Sequence, residues 1–362
     1  MKAAVLFASP GKLQVVDVLI DEPGPREVTV KIAAAGLCHS DLHYLNRGRQ
    51  LPGPLVLGHE AAGVVEEVGT AVSYVKPGDH VVCFVIGYCD SCEWCTSGNF
   101  AMCDRQFKGR QPGQPPRLRL PDGSQCWQLS DLGAFAERTI VHENLLVKIR
   151  PDIPFDRAAI VSCGVPTGVG SVLNTAQVRP GATVAVIGCG GIGLNCIQGA
   201  VLADASRIVA IDINDGKLAT ARMFGATDTV NNSAGDAVEQ LNDLLPGAGG
   251  VDYSFEAIGI QQTYELACNI LRKGGTATML GVATGTFQIP MDGFAVQGKR
   301  ILGSPMGSVH FRRELPRYLD LYLNGRLKLD ELISNRIPLE RINEGYAAIS
   351  DGNVARSVVI FD

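Results

Sequence analysis

The 362-residue chain is long for one domain and comfortable for two. Hydrophobic residues make up 46% and charged residues 19%, and the net charge of -5 is spread without blocks of one sign, which excludes nucleic acid and anionic membrane as expected partners. No apolar run reaches transmembrane length, and Met1 leads straight into strand-like Lys2–Phe7 without a signal peptide, so a cytoplasmic location is expected.

Residues 1–164 read as short strands broken by Gly and Pro, among them Val28–Ile32, Ala62–Val68 and His80–Ile86, which predicts a strand-rich, barrel-like domain. Within it Cys89, Cys92, Cys95 and Cys103 fall inside fifteen residues. The stretch Arg105–Asp131 holds four prolines and little periodicity and reads as a long loop. Over residues 165–304 strands and helices alternate: Thr183–Ile187, Arg207–Ile211, Asp228–Val230, Val251–Phe255 and Gly275–Leu280 are the strands, and the alternation predicts a doubly wound parallel sheet. Residues 305–362 turn helical and close on the strand Arg356–Ile360, which is expected to return to the first domain.

The turn after Thr183–Ile187 is Gly188-Cys189-Gly190-Gly191-Ile192-Gly193, followed by the apolar helical run Leu194–Leu202. The first glycine permits a tight turn, the second a close approach to a pyrophosphate, and the third close packing of helix on strand. The helix N-terminus then favours the phosphate charge. Asp212 ends the next strand, nineteen residues beyond Gly193. There it would accept from both adenosine ribose hydroxyls and repel a 2′-phosphate, so NAD is expected over NADP. The plainer alternative is a glycine turn with Asp212 as a helix cap.

Disulfides are rare in reducing compartments, so clustered cysteines read first as metal ligands. Cys89-x2-Cys92-x2-Cys95-x7-Cys103 supplies four thiolates, enough to close a tetrahedral structural zinc site. A second set is dispersed: Cys38, the pair His59-Glu60 in Gly58-His-Glu-Ala-Ala-Gly63, and Cys163 at the domain transition. Two thiolates and one imidazole would leave a fourth zinc position open, which is a catalytic pattern. By spacing alone such residues are more often packed core than ligands.

Taken together, Gly58-His-Glu with Gly63, the four-cysteine lobe, the glycine loop and the terminal Arg356 resemble the zinc-containing medium-chain alcohol dehydrogenases from end to end. The resemblance is to the long-loop branch with animal and plant alcohol dehydrogenases and thiol-dependent formaldehyde dehydrogenases. It implies an α/β fold, a GroES-like β-barrel catalytic domain joined to a Rossmann domain with the active site in the cleft between them. It also implies two zincs per chain and NAD. Cys38, His59 and Cys163 match the catalytic zinc ligands. Glu60 matches a carboxylate behind the zinc that transiently coordinates it, and Asp41 the acid that orients His59. Ser40 matches the hydroxyl that accepts the alcohol proton, and His43 the imidazole that passes it to water. His39 and Arg356 match pyrophosphate contacts and Lys217 a contact to the adenosine ribose. Thr167, Ile258 and Val282 match positions beside the nicotinamide and its ribose. Ser304 and Met306 match backbone that holds the carboxamide.

The implied activity is reversible oxidation of a primary or aromatic alcohol to an aldehyde. Relatives that use glutathione adducts carry an acidic pair where Arg47 and Arg49 stand, and an arginine where Phe107 stands. That leaves a general alcohol, or an adduct of another thiol such as mycothiol, as substrate. Val85 and Ser40 are small and fit a bulky alcohol. Arg110, Arg117 and Arg119 read as a solvated face or an anion-binding mouth. A redox-silent binding protein is the alternative from another class, against which Cys38, Ser40, His59 and Cys163 stand intact. Polyol dehydrogenases of this type usually carry glutamate in place of Cys163. A homodimer is expected through the edge formed by Phe287–Pro290 and Lys299–Leu302. The Arg105–Asp131 loop is expected to obstruct tetramer packing and to rim the substrate cleft.

Overall fold

The computed structural model describes residues 1–104, 114–289, 294–351 and 354–362. The chain forms two compact units, one of Met1–Cys163 with His310–Asp362, the other of Gly164–Val309. The second unit runs past the expected end at 304. The turn Pro305–Ser308 stays with it because Gly307 seats directly on the helix Gly164–Gly170, where a side chain at 307 would stand 2.0 Å from the Pro166 carbonyl oxygen.

The first unit is built on the long strand Glu27–Gly36, buried along most of its length. It pairs antiparallel with Glu60–Val68, Arg138–His142 and Ser357–Ile360. The sheet continues through His80–Cys83 to Leu146–Lys148 on one side and through Ser357–Ile360 to Asn335–Ile337 on the other. The C-terminal tail therefore belongs to this unit. A second sheet runs Gln14–Asp17, Lys2–Leu6, Leu55–Val56, Gln125–Gln128, Leu118–Arg119, Leu19–Ile20. One apolar core, with Val5, Val30, Leu57, Phe135 and Tyr346 among its members, draws on both sheets.

The expected loop over Arg105–Asp131 needs correction. Residues 105–113, with Phe107 and Arg110, lie outside the described residues. Beyond them Leu118–Arg119 and Gln125–Gln128 form an antiparallel hairpin. Arg117 neither faces solvent nor lines an anion mouth. It is buried, bonded to Glu27 at 2.7 Å and Asp131 at 3.1 Å, and Arg119 pairs with Asp21 at 2.6 Å. The prolines hid a short strand pair that buries Leu118 and Cys126 in the apolar core and carries ion pairs at Arg117 and Arg119.

In the second unit six parallel strands lie in the order Asp228–Asn231, Arg207–Asp212, Thr183–Ile187, Val251–Glu256, Leu271–Met279, Arg300–Gly303. The order reverses direction beside Thr183–Ile187, the switch point where doubly wound sheets take their ligand. The central strands carry continuous apolar runs, Val184–Ile187 and Ile208–Ile211, as a sheet covered on both faces requires. Of the two expected edge segments, Arg300–Gly303 is an edge strand, whereas Phe287–Ile289 forms none. There Phe287 and Ile289 pack on the core and the Phe287 ring meets Tyr264 at 5.2 Å. Pro290 lies outside the described residues.

Candidate functional site

Strand register brings the dispersed residues together. Gly36 pairs with Glu60 on one side and with Val358 on the other. The chain just past Gly36, the start of Glu60–Val68 and the start of Ser357–Ile360 therefore meet at one end of the sheet. Cys38, His59, Glu60 and Arg356 sit on those three ends. Cys163 joins them from the turns that follow the helix Phe155–Ile160. Two glycines make the approach feasible. A side chain at Gly36 would stand 2.2 Å from Glu60 Oε2, and one at Gly63 would stand 2.0 Å from the Lys31 carbonyl oxygen.

Cys38, His59, Glu60 and Cys163 are all buried, and their donor atoms lie within 4.8 Å of one another. Hydrogen bonding from Cys163 holds the Cys38 thiol well below its ordinary range, helped by His59 and Arg356, and the same contact pushes Cys163 up. Burial opposes charge on His59, but Asp41 and Cys38 outweigh it and raise its imidazole well above the ordinary value. Burial pushes the Glu60 carboxyl up to about 8 against the pull of Arg356. Arg356 stands 3.1 Å from Glu60 Oε1 as a charge pair, yet neither Glu60 oxygen has a hydrogen-bonding partner among the described residues. A buried carboxyl group without a hydrogen bond, beside two thiols and an imidazole, makes the donor set a divalent soft-to-borderline ion takes. His59 Nδ1 faces Asp41 Oδ1 at 3.1 Å, which leaves Nε2 for an ion. Ser40 Oγ lies 3.2 Å from both Cys38 Sγ and His59 Nε2.

The second cluster is local. Cys89, Cys92, Cys95 and Cys103 bracket the short helix Glu93–Thr96 and the turn Phe100–Met102. Sulfur separations are 3.9 Å for Cys89–Cys95, 3.6 Å for Cys92–Cys95 and 3.8 Å for Cys92–Cys103. A zinc tetrahedron with bonds of about 2.3 Å has edges of about 3.8 Å. All eleven cysteines are free thiols, so no disulfide competes for either cluster.

In the second unit each glycine of the loop meets a different demand. Gly188 has φ +92°, and a side chain there would stand 2.5 Å from Ile258 Cγ1. A side chain at Gly193 would stand 1.7 Å from the Gly188 carbonyl oxygen. At Gly190, which precedes the helix Gly191–Leu202, the same position meets nothing within 4 Å. Open space beside the N-terminus of a helix is the setting that anionic groups favour. Asp212 accepts from the Cys189, Ile213 and Asn214 N–H groups at 2.8, 2.8 and 3.1 Å. It is not the helix cap, because Asn214 caps Asp215–Met223 by accepting from Lys217 N. Ile258 and Val282 are exposed apolar side chains just past strand ends, a surface suited to a flat heterocycle. Thr167 Oγ1 donates to Met306 Sδ at 3.6 Å, and Ser304 Oγ bonds Ser171 and Thr175 at 2.7 and 2.8 Å. Met306 itself is left-handed at φ +47°, the kind of local strain that clusters at ligand sites.

Some expected residues stand apart. His39 is exposed and His43 half-buried, 6.4 Å between ring centroids, and no hydrogen bond joins His43 to Ser40 among the described residues. Arg356 is buried beside Glu60 and donates to the Leu37 carbonyl at 3.4 Å, so its expected pyrophosphate contact rests on the resemblance alone. Sequence reasoning missed Tyr346, whose hydroxyl donates to Asp41 Oδ2 at 2.9 Å across 305 residues of chain. No local pattern signals such a contact.

A dinucleotide-type fold in the second unit, with one open and one closed zinc-type cluster in the first, defines a zinc-containing dehydrogenase. Comparison with known proteins agrees. The alcohol dehydrogenase GroES-like domain model matches residues 24–151 and the zinc-binding dehydrogenase model matches 191–324. The probable S-(hydroxymethyl)glutathione dehydrogenase 1 of Schizosaccharomyces pombe is 38% identical, over 99% of this chain and 96% of its own length. The alcohol dehydrogenase class-3 of Cereibacter sphaeroides is 37% identical over 99% of both chains. The benzyl alcohol dehydrogenase of Acinetobacter calcoaceticus superposes with TM-score 0.93 at 28% identity, covering 100% of this chain and 99% of that one. The chain belongs to the zinc-containing alcohol dehydrogenase family, and it is an oxidoreductase with a GroES-like and a Rossmann domain. No helix among the described residues is long and apolar enough to cross a membrane.

Proposed function

We propose that this enzyme oxidises a primary or aromatic alcohol to the aldehyde, reversibly, with NAD as acceptor. What carries the reading is Ser40, whose Oγ stands 3.2 Å from two ligand-type atoms, Cys38 Sγ and His59 Nε2, beside the buried donor cluster. Bound zinc supplies a Lewis acid that brings an alcohol hydroxyl toward neutral pKa, and bound NAD supplies the hydride acceptor. Cys38, His59 and Cys163 would hold the ion, with Glu60 beside them as a further oxygen donor. Asp41 keeps the proton on His59 Nδ1. Ser40 Oγ takes the alcohol proton. Burial, together with Arg47, His39 and Arg49, holds the His43 imidazole below its ordinary value, so it is neutral at pH 7 and able to accept that proton onward. In the Rossmann unit Gly188, Gly190, Gly191, Ile192 and Gly193 seat the pyrophosphate, and Asp212 with Lys217 the adenosine ribose. Thr167, Ile258 and Val282 line the nicotinamide side, with Ser304 and Met306 at the carboxamide.

A second reading, oxidation of a thiol–formaldehyde adduct, is favoured by relatives named S-(hydroxymethyl)glutathione dehydrogenase, at 38% identity in Saccharomyces cerevisiae as well. Exposed Arg47 and Arg49 suit an adduct with carboxylate or other anionic groups rather than the glutathione pattern. NADH absorbance over a panel of alcohols and aldehydes, with NAD or NADP and with or without low-molecular-weight thiols, decides between them. The first reading expects turnover of benzyl alcohol with NAD and no thiol. Turnover of formaldehyde only when a thiol is added would replace it with the second. A cytoplasmic setting fits the eleven free cysteines.

A further inference from the structure

Asp41 aims the imidazole of His59, and a residue from the far end of the chain holds Asp41. The Tyr346 hydroxyl donates to Asp41 Oδ2 at 2.9 Å, while Oδ1 faces His59 Nδ1 at 3.1 Å. Asp41 is 0% and Tyr346 3% exposed, so water replaces neither partner. We propose that Tyr346 is a positioning residue for the catalytic metal site: its hydroxyl fixes the Asp41 carboxylate, which fixes the His59 ring with Nε2 presented to the ion. This rests on Cys38, His59 and Cys163 being the zinc ligands.

A carboxylate that accepts a single hydrogen bond rotates in a broad two-fold well; accepting from two sides, it has one orientation. The phenol also shares the carboxylate's charge. Without it, Asp41 becomes a stronger acceptor for the Nδ1 proton and the imidazole a more basic ligand. The surrounding packing holds the phenol in place. On the helix Ile342–Ser350 a side chain at Gly345 would stand 2.7 Å from Leu37 Cδ2, so the helix presses on the residue that precedes Cys38. The Tyr346 ring stands edge-on to Phe135 at 6.1 Å, and Phe135 in turn fills the space against Gly58, beside His59. A tyrosine that merely filled the core would lose stability on removal of its hydroxyl and would leave the metal site unaltered.

The test uses the full-length enzyme with cobalt(II) in the catalytic site, whose visible absorption reports ligand geometry. Tyr346→Phe keeps the ring and is expected to shift that spectrum. It should also speed transfer of the catalytic ion to a chelator about tenfold, the lower end of what groups behind metal ligands carry. Val5→Ala, a cavity in the same core, should lower the melting temperature and change neither readout. Adding Tyr346→Phe to Asp41→Asn should change release no further, because the hydroxyl acts through Asp41. A wild-type spectrum and release rate in Tyr346→Phe, or additive effects in the double variant, would overturn the proposal. Unchanged metal content in His59→Ala would overturn the ligand reading beneath it, which is a separate and distinguishable result.

Discussion

Ser40 is the smallest group on which the chemistry depends. Its hydroxyl lies 3.2 Å from both a thiolate-type and an imidazole-type ligand atom. Ser40→Ala is expected to cut turnover by roughly two to four orders of magnitude, the usual worth of positioned proton transfer, with NAD binding nearly unchanged. Steady-state kinetics with a fluorescence titration of the cofactor check it, and a loss under about threefold would take Ser40 out of the relay. Asp212 is proposed to set cofactor choice by charge. Its carboxylate is pinned by three backbone N–H groups, so it cannot swing away from a 2′-phosphate. Asp212→Gly with Ile213→Arg should raise the NADP-to-NAD ratio of kcat/KM by about tenfold or more. The same change should lower the melting temperature, because those donors lose their acceptor. Wild-type preference for NADP would contradict the reading. Both residues were legible in sequence because their motifs are short. Tyr346 and the Arg356–Glu60 pair were not, since only strand register and a C-terminal return bring them to the site.

At the scale of elements, the parallel sheet and its glycine turn were readable because alternation of strand and helix is a local pattern. The hairpin of Leu118–Arg119 and Gln125–Gln128 was not, because a two-residue strand shows no periodicity and its anchor, Arg117, looks like a surface charge until it is buried against Glu27. The strand Arg138–His142 carries a pH-sensitive end. His142 caps the turn Glu143–Leu145 by accepting from Asn144 N at 3.1 Å. Burial, with Arg26 and Arg117 against Glu143 and Glu27, lowers its imidazole to about 4. The unfolded chain takes up that proton near 6.5, so between about 6.5 and 4 it binds more protons than the folded chain. This contribution is whole above pH 6.5 and is lost as pH falls, by about 3 kcal/mol at the bottom of the window. His142→Asn keeps an acceptor for the turn and does not titrate. Denaturant melts from pH 7 to 4 should show a shallower fall in the variant, and parallel curves would remove His142 as the cause.

For the whole molecule we expect a homodimer. Among the described residues Arg300–Gly303 ends the parallel sheet with no strand paired on its outer side, and Val296 just before it is almost fully exposed. Two such edges joined about a two-fold axis satisfy both ladders. Light scattering at micromolar concentration should give about twice the 38.4 kDa chain mass, and a stable tetramer would refute this arrangement. Division of labour between the two metal clusters is the central claim, and zinc counted alongside turnover and melting temperature tests it most directly. The wild-type enzyme should hold two zincs per chain; Cys163→Ser should hold one, melt near the wild-type temperature and lose turnover; Cys95→Ser should melt far lower while its folded fraction still turns over. A fully active preparation with one zinc, or equal losses of melting temperature in the two variants, would contradict it.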